Sequence, residues 1–217
     1  LFYRSWDSGV TWTAGADVRN WGPITCSYDG SIVYVLVGSE SRVYKSTDSG
    51  ATFTALPTYP TDANSLECSY DGNIIVVSAW DRIMTSWDGG LTWVLRFTGG
   101  SIDSCGISAD GRVMGCGNWG YQVYISHDFG VNWVTKSVTA YCIRGFSVSA
   151  DGKDMYATGT NAANVSMSHD SGETWYDYTP PTGPQPGKSS CSGDGRIFIK
   201  SGDNQVYVYK SNYMGPV

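Results

Sequence analysis

The sequence predicts an all-β fold of repeated four-stranded antiparallel units, and three observations carry that prediction. The first is an eight-residue stretch, Ser86-Trp87-Asp88-Gly89-Gly90-Leu91-Thr92-Trp93, which recurs along the chain as Ser-x-Asp-x-Gly-x-Thr-Trp. The other copies begin at Ser5, Ser46, Ser126 and Ser168, so the five copies are spaced by 41, 40, 40 and 42 residues. A worn sixth copy, Ser211-Asn212-Tyr213-Met214-Gly215, has tyrosine where the aspartate should be. Self-similarity at a fixed period of this size marks a repeat architecture. The second observation is an Asp-Gly pair within each repeat, at Asp29-Gly30, Asp71-Gly72, Asp110-Gly111, Asp151-Gly152 and Asp194-Gly195. The third is composition: 15 Tyr, 9 Trp and 27 Gly in 217 residues favour strands and tight turns over helices.

Each copy of the stretch reads as a hairpin. Alternating apolar runs lead in, as in Val43-Tyr44-Lys45, Ile83-Met84-Thr85 and Val123-Tyr124-Ile125. Glycine then supplies a positive φ without steric cost, and the aspartate carboxylate can accept nearby backbone N–H groups. A strand ending in an aromatic leads out. The Asp-Gly pairs lie between alternating hydrophobic runs, the strongest short-range hairpin signal, and give each repeat a second hairpin. Four strands per repeat follow. In the first complete repeat A is expected at 24–28, B at 32–37, C at 42–45 and D at 51–56. Four-stranded units repeated in series bury their faces against one another, which is the construction of a β-propeller. The chain supplies five A, five B, five D and six C strands. Six blades are the favoured closure, with five and seven as alternatives. One domain is expected over 1–217, and the absence of an initiator Met suggests part of a longer chain. The run Pro180-Pro181-Thr182-Gly183-Pro184-Gln185-Pro186 reads as a stiff surface loop between D and A strands.

The repeated pattern resembles the Asp-box (BNR) repeat of sialidases, sortilin-type receptors, xyloglucan-degrading glycosidases and a photosystem assembly factor. Five good copies carry the resemblance across nearly the whole chain. It implies a β-propeller in which the box is a structural device on the blade rim, away from the ligand face. Asp7, Asp48, Asp88, Asp128 and Asp170 are therefore expected to be structural rather than catalytic.

Charge and composition narrow the function. A net charge of −6 with scattered basic residues argues against nucleic acid as partner. There is no apolar run long enough to span a membrane, so direct membrane insertion is not expected. The six cysteines form no CxxC and no metal-ligand spacing; no metal or cofactor is expected. Cys26, Cys68 and Cys191 each lie three residues before an Asp-Gly turn, where other repeats carry Ile107 and Val148, and read as small buried hydrophobes. Cys105 and Cys116 flank Asp110-Gly111 symmetrically, so the hairpin places them opposite one another and a disulfide between them is a candidate, although an awkward one sterically. The sequon Asn164-Val165-Ser166 makes Asn164 a candidate glycosylation site.

In antiparallel blades the A–B and C–D turns share one end, which the short turns occupy. The longer B–C and D–A loops share the other end, where function tends to lie. Trp21, Trp80 and Trp119 fall there, with Arg19, Arg42, Asp81, Arg82, Tyr121 and Arg144 as neighbours. Aromatic platforms beside planar polar groups make that end a candidate sugar-binding or protein-binding surface; the competing reading is that the tryptophans pack between blades or plug the channel. Signals for catalysis are thin, and no catalytic residue is assigned. Both histidines, His127 and His169, sit in the repeated turn at the opposite end. The four arginines could imitate a sialidase cluster, but the R-I-P motif and a Tyr–Glu nucleophile pair are absent. The expected function is a non-enzymatic extracellular or surface-exposed binding or assembly module for glycan or protein, with other domains or subunits as neighbours. The alternatives are a sialidase-like glycoside hydrolase and an architectural subunit of a surface filament, virion or receptor.

Overall fold

The two kinds of turn set the strand ends. In a computed structural model of the chain, residues 2–15, 19–40, 42–57, 62–160, 165–178, 188–202 and 205–210 are described. Asp88 Oδ1 accepts the Thr92 N–H at 2.9 Å and the Ser86 hydroxyl at 2.8 Å, while Oδ2 accepts the Thr92 hydroxyl at 2.6 Å. Ser86 Oγ in turn accepts the Gly90 N–H at 2.8 Å. The same bonds recur around Asp7, Asp48, Asp128 and Asp170; Asn132 stands where the others have threonine, and its Nδ2 donates to Asp128 Oδ2 at 2.6 Å. Glycine is needed at the fifth position, where Gly90 has φ +90°. The Asp-Gly turns close in a parallel way. Ser27 Oγ donates to Asp29 Oδ1 at 2.7 Å and accepts the Ile32 N–H at 3.0 Å, and Ser69, Ser108, Ser149 and Ser192 repeat the arrangement.

Between these turns lie 21 antiparallel strands, and Gly38–Glu40 is the only helical segment among the described residues. An N-terminal hairpin pairs β1 (Tyr3–Arg4) with β2 (Thr13–Ala14). Blade 1 comprises β3 (Trp21–Cys26), β4 (Val33–Val37), β5 (Arg42–Ser46) and β6 (Thr54–Ala55). Blade 2 comprises β7 (Ala63–Cys68), β8 (Ile75–Ala79), β9 (Arg82–Ser86) and β10 (Val94–Thr98). Blade 3 comprises β11 (Ile102–Ile107), β12 (Met114–Asn118), β13 (Gln122–Ser126) and β14 (Val134–Ser137). Blade 4 comprises β15 (Ile143–Val148), β16 (Met155–Gly159), β17 (Val165–Ser168) and β18 (Tyr176–Tyr178). Blade 5 holds β19 (Ser189–Cys191), β20 (Ile197–Gly202) and β21 (Gln205–Lys210) among the described residues.

The fold is an all-β propeller of five blades in a ring. Five is one of the counts the sequence left open, rather than the six it favoured. The sixth C-type strand does not seed another blade: β21 takes the C position beside β20, and β1 stays with β2. Phe2 pins that hairpin on blade 1, edge-on to Trp21 at 6.0 Å and to Phe53 at 5.1 Å. The axial strands are β3, β7, β11, β15 and β19, and backbone bonds tie their turns together in series. Tyr28 N donates to Tyr70 O, Tyr70 N to Ala109 O and Ala109 N to Ala150 O, each at 2.9 Å, and Ala150 N donates to Gly193 O at 2.8 Å.

The second strand of blades 1 to 4 is buried along its whole length, because both of its faces pack against neighbours. Leu66, Val77 and Ile75 of blade 2 pack on Leu36, Val43 and Leu56 of blade 1, and comparable layers join blades 2 to 5. Burying each such side chain contributes about 1.5–3 kcal/mol. Gly117 allows the close approach of blades 3 and 4: a Cβ there would lie 2.3 Å from Ile143 Cγ2.

Several expectations need correction. Strand D is shorter than 51–56, because Asp48 takes the Thr52 N–H into the turn and the ladder resumes only at Thr54. Cys68 is buried as expected, but Cys26 is exposed and Cys191 half-buried. The face of β3 that carries Ile24 and Cys26 is left uncovered, with Ile24 50% exposed, whereas Leu66 at the matching place in β7 is 1% exposed. Cys105 and Cys116 do pair across the ladder, yet both are free thiols. Residues directly opposite in an antiparallel pair hold their Cβ atoms farther apart than a disulfide prefers. Cys105 Sγ points instead into blade 2, 3.3 Å from Ser65 Oγ. Asn164 and the Pro180–Pro186 run lie outside the described residues.

Candidate functional site

Trp80 follows β8 and Trp119 follows β12, so equivalent loops of consecutive blades bring the two indoles together. Their ring centroids are 5.0 Å apart with the planes at 65°, an edge-to-face pair. Both rings remain accessible, at 49% for Trp80 and 37% for Trp119. Backbone bonds fix the loops that carry them: Ile102 N donates to Trp80 O at 3.1 Å, and Trp119 N donates to Ser101 O at 2.8 Å. Beside Trp80 an open recess of about 480 Å³ is lined by Asp62, Ala63, Asn64, Trp80, Asp81 and Arg82. The Arg82 guanidinium lies 2.8 Å from Asp81 and 3.9 Å from Asp62, so one cation organises two carboxylates at the rim. Arg144 reaches the same cluster from β15, with its guanidinium 5.3 Å from the Trp119 ring and 3.9 Å from Asp103. Tyr121, in the Trp119 loop, packs on Tyr141 at 4.8 Å.

The other residues singled out from sequence lie elsewhere. Trp21 is half-buried among Phe2, Phe53 and Tyr44, where it holds the N-terminal hairpin to blade 1. Arg19 donates to Glu40 at 2.7 Å and to the Tyr44 hydroxyl at 2.6 Å, with its guanidinium 4.3 Å from the Tyr44 ring. The Tyr44 hydroxyl, followed by Arg19, holds the Glu40 carboxyl below its ordinary value. Arg42 opens β5, exposed and paired across the ladder with Val37. Arg19, Arg82 and Arg144 are thus engaged by separate local carboxylates, Glu40 for the first, Asp81 and Asp62 for the second and Asp103 for the third.

The turn aspartates spend most of their bonding capacity on their own turns. The Thr92 hydroxyl, then the Thr92 N–H, hold Asp88 well below the usual carboxylate range, at about 2, and Thr11 does the same for Asp7.

One feature escaped the sequence reading. The five axial strands enclose a cavity of about 310 Å³, and Glu67 of β7 faces it. Burial pushes the Glu67 carboxyl up to about 7, opposed by the Thr25 hydroxyl and the charge of Lys188. The signal was available four residues before each Asp-Gly turn, where Thr25, Gly106, Ser147 and Ser190 surround a single carboxylate.

No protein-family model matches the chain, and no curated protein matches its sequence. Solved structures do resemble it in fold. A crystal structure of a nidogen/laminin complex matches with a TM-score of 0.70 at 13% identity, over 88% of this chain and 75% of that one. The GH74 enzyme of Niastella koreensis matches with a TM-score of 0.68 at 18% identity, over 85% of this chain and 34% of that one. The chain therefore spans about a third of the GH74 enzyme's length. At such identities the likeness is one of fold, and the class it defines is the β-propeller.

Proposed function

We propose that this propeller is a non-enzymatic recognition module of the Asp-box type, working outside the cell or on a surface, and that it binds a glycan at the Trp80–Trp119 end. The observation that carries the reading is the accessible edge-to-face pair of Trp80 and Trp119 beside the recess of Asp62, Asn64, Asp81 and Arg82. Indole faces suit the C–H surfaces of a sugar ring, while a guanidinium and planar amide or carboxylate groups give directional bonds to hydroxyls. Asp62 and Asp81 both turn toward Arg82, an arrangement that orients a polar ligand rather than one that sets a proton donor against a nucleophile. The matched structures include a component of a protein complex and a glycoside hydrolase, so protein partners are the second ligand class to assay.

A glycan array followed by titration of the best ligand tests the proposal. Truncating an aromatic at a binding hot spot costs roughly 2 kcal/mol, about thirtyfold in affinity, and Trp80→Ala and Trp119→Ala should each lose that much. Parent-like binding by both variants would refute the assignment of the face.

A further inference from the structure

The axial cavity lies between the two ends of the ring and is built differently from the Trp80 recess. Its wall carries a hydroxyl or a glycine at four of five equivalent positions and a carboxylate, Glu67, at the fifth. Glu67 is half-buried in this wall, and a carboxylate partly withdrawn from water is costly unless a cation or several donors compensate it. Glu67 has one hydrogen-bond partner among the described residues, the Thr25 hydroxyl on Oε2 at 2.9 Å. A second polar atom in the wall is also poorly satisfied: the buried Ser147 hydroxyl has no partner of full hydrogen-bond geometry, its weak contact with the Cys191 thiol leaving the oxygen free to accept. At the mouth Tyr28 and Tyr70 stack with centroids 4.9 Å apart and planes at 23°, where the equivalent places are Ala109, Ala150 and Gly193. The Tyr70 hydroxyl reaches across the axis toward Gly193, where a Cβ would lie 2.6 Å from it. One side of the mouth is therefore aromatic and the other is small. Among the described residues no group of His, Cys, Asp and Glu is placed to hold a metal ion.

We propose that the axial cavity binds a small primary ammonium compound, with its charge on Glu67 and its carbon chain against Tyr28 and Tyr70. An ammonium group has three donors and no acceptor, which matches Glu67 Oε1, the Ser147 hydroxyl oxygen and the hydroxyl of Ser190. The outer surface of the stacked tyrosine pair lines the entry, attracts a cation passing it and covers its methylenes. No step of bond making is involved; the site is one of recognition.

Titration calorimetry with butylammonium tests the proposal, with the N-acetyl methylamide of lysine as a second probe that separates a free amine from a lysyl side chain. Saturable one-to-one binding of either probe is expected, and the tighter of the two assigns the source. Glu67→Gln should weaken binding at least about tenfold, the equivalent of one charge-assisted hydrogen bond. Ser147→Ala should weaken it severalfold and serves as the variant of record if Glu67→Gln does not fold. Binding by the parent should strengthen from about pH 6 to about pH 8 as the carboxyl ionises, and the Glu67→Gln profile should be flat. The thiols of the lining residues, Cys26 of β3, Cys68 of β7 and Cys191 of β19, are pushed upward by burial and stay neutral over that range, and the charge of Lys188 opposes the added cation. Trp80→Ala should bind the amine like the parent, which keeps this site distinct from the glycan face. Absence of saturable binding by both probes, or equal binding by the parent and Glu67→Gln, would overturn the proposal.

Discussion

Replacing Asp88 by alanine removes a carboxylate that accepts three hydrogen bonds, from Thr92 N, Thr92 Oγ1 and Ser86 Oγ. The three losses are unequal. Thr92 is exposed, so water can take over its two donors, whereas Ser86 is 1% exposed and its hydroxyl loses its acceptor inside the protein. Stranding one buried donor costs about 1–3 kcal/mol. For a domain of this size each kcal/mol moves the melting temperature by about 2–4 °C, so a drop of roughly 2–12 °C is expected in calorimetry at neutral pH. Asp88→Asn keeps an oxygen for Ser86 and should fall between the two. Acid provides an internal check. The carboxyl titrates at about 2 in the folded state against 3.8 for the free group, so its stabilisation is present above 3.8 and is lost as pH falls through about 2. The gap between parent and Asp88→Ala should therefore close in strong acid. Glycan titration of the folded variant should match the parent. An unchanged melting temperature, a gap that widens in acid, or loss of binding without loss of stability would each refute the view of the turn as a purely structural clasp.

Two further outcomes follow from groups inside the ring. Alkylation under denaturing conditions without reductant should label all six cysteines, while the native protein should react first at exposed Cys26, since burial holds Cys68 and Cys105 up at about 12; an unlabelled Cys105–Cys116 pair in the mass spectrum would refute the free-thiol assignment. Glu67 titrates at about 7 folded against 4.5 free, so its contribution to stability is present below 4.5 and is lost as pH rises through about 7; Glu67→Gln should remove that slope from the melting curve, and an unchanged slope would place the titration elsewhere.

The turns were legible because everything they require lies within seven residues. A serine hydroxyl, a carboxylate and a glycine at fixed spacing complete one another without help from the rest of the chain. Strand pairing was legible for the same reason, and even the facing of Cys105 and Cys116 follows from counting outward from Asp110-Gly111. The number of blades was not. It depends on how closely the axial strands converge, which is a property of five distant segments meeting at once. The disulfide failed on a smaller scale, because register places two residues opposite one another but not at bonding distance.

The candidate sites divide along the same line. Trp80 and Trp119 meet because they occupy one position in consecutive repeats, and adjacency of repeats is written in the period. Trp21 occupies a comparable end of its blade, but the N-terminal hairpin covers it with Phe2, a partner that the loops of Trp80 and Trp119 lack. Glu67 was overlooked because its column reads as small and polar on average, and only one member departs from it. That departure is physically informative. A residue whose hydrogen bonds are made inside its own repeat, as those of Asp88 are with Thr92 and Ser86, has little bonding capacity left to offer a ligand. Glu67 and Ser147 retain unused acceptors facing a shared space, and the indoles of Trp80 and Trp119 retain accessible faces. In a ring of near-identical blades, recognition has to come from the positions where a blade leaves some bonding capacity unfilled, and these four residues are such positions.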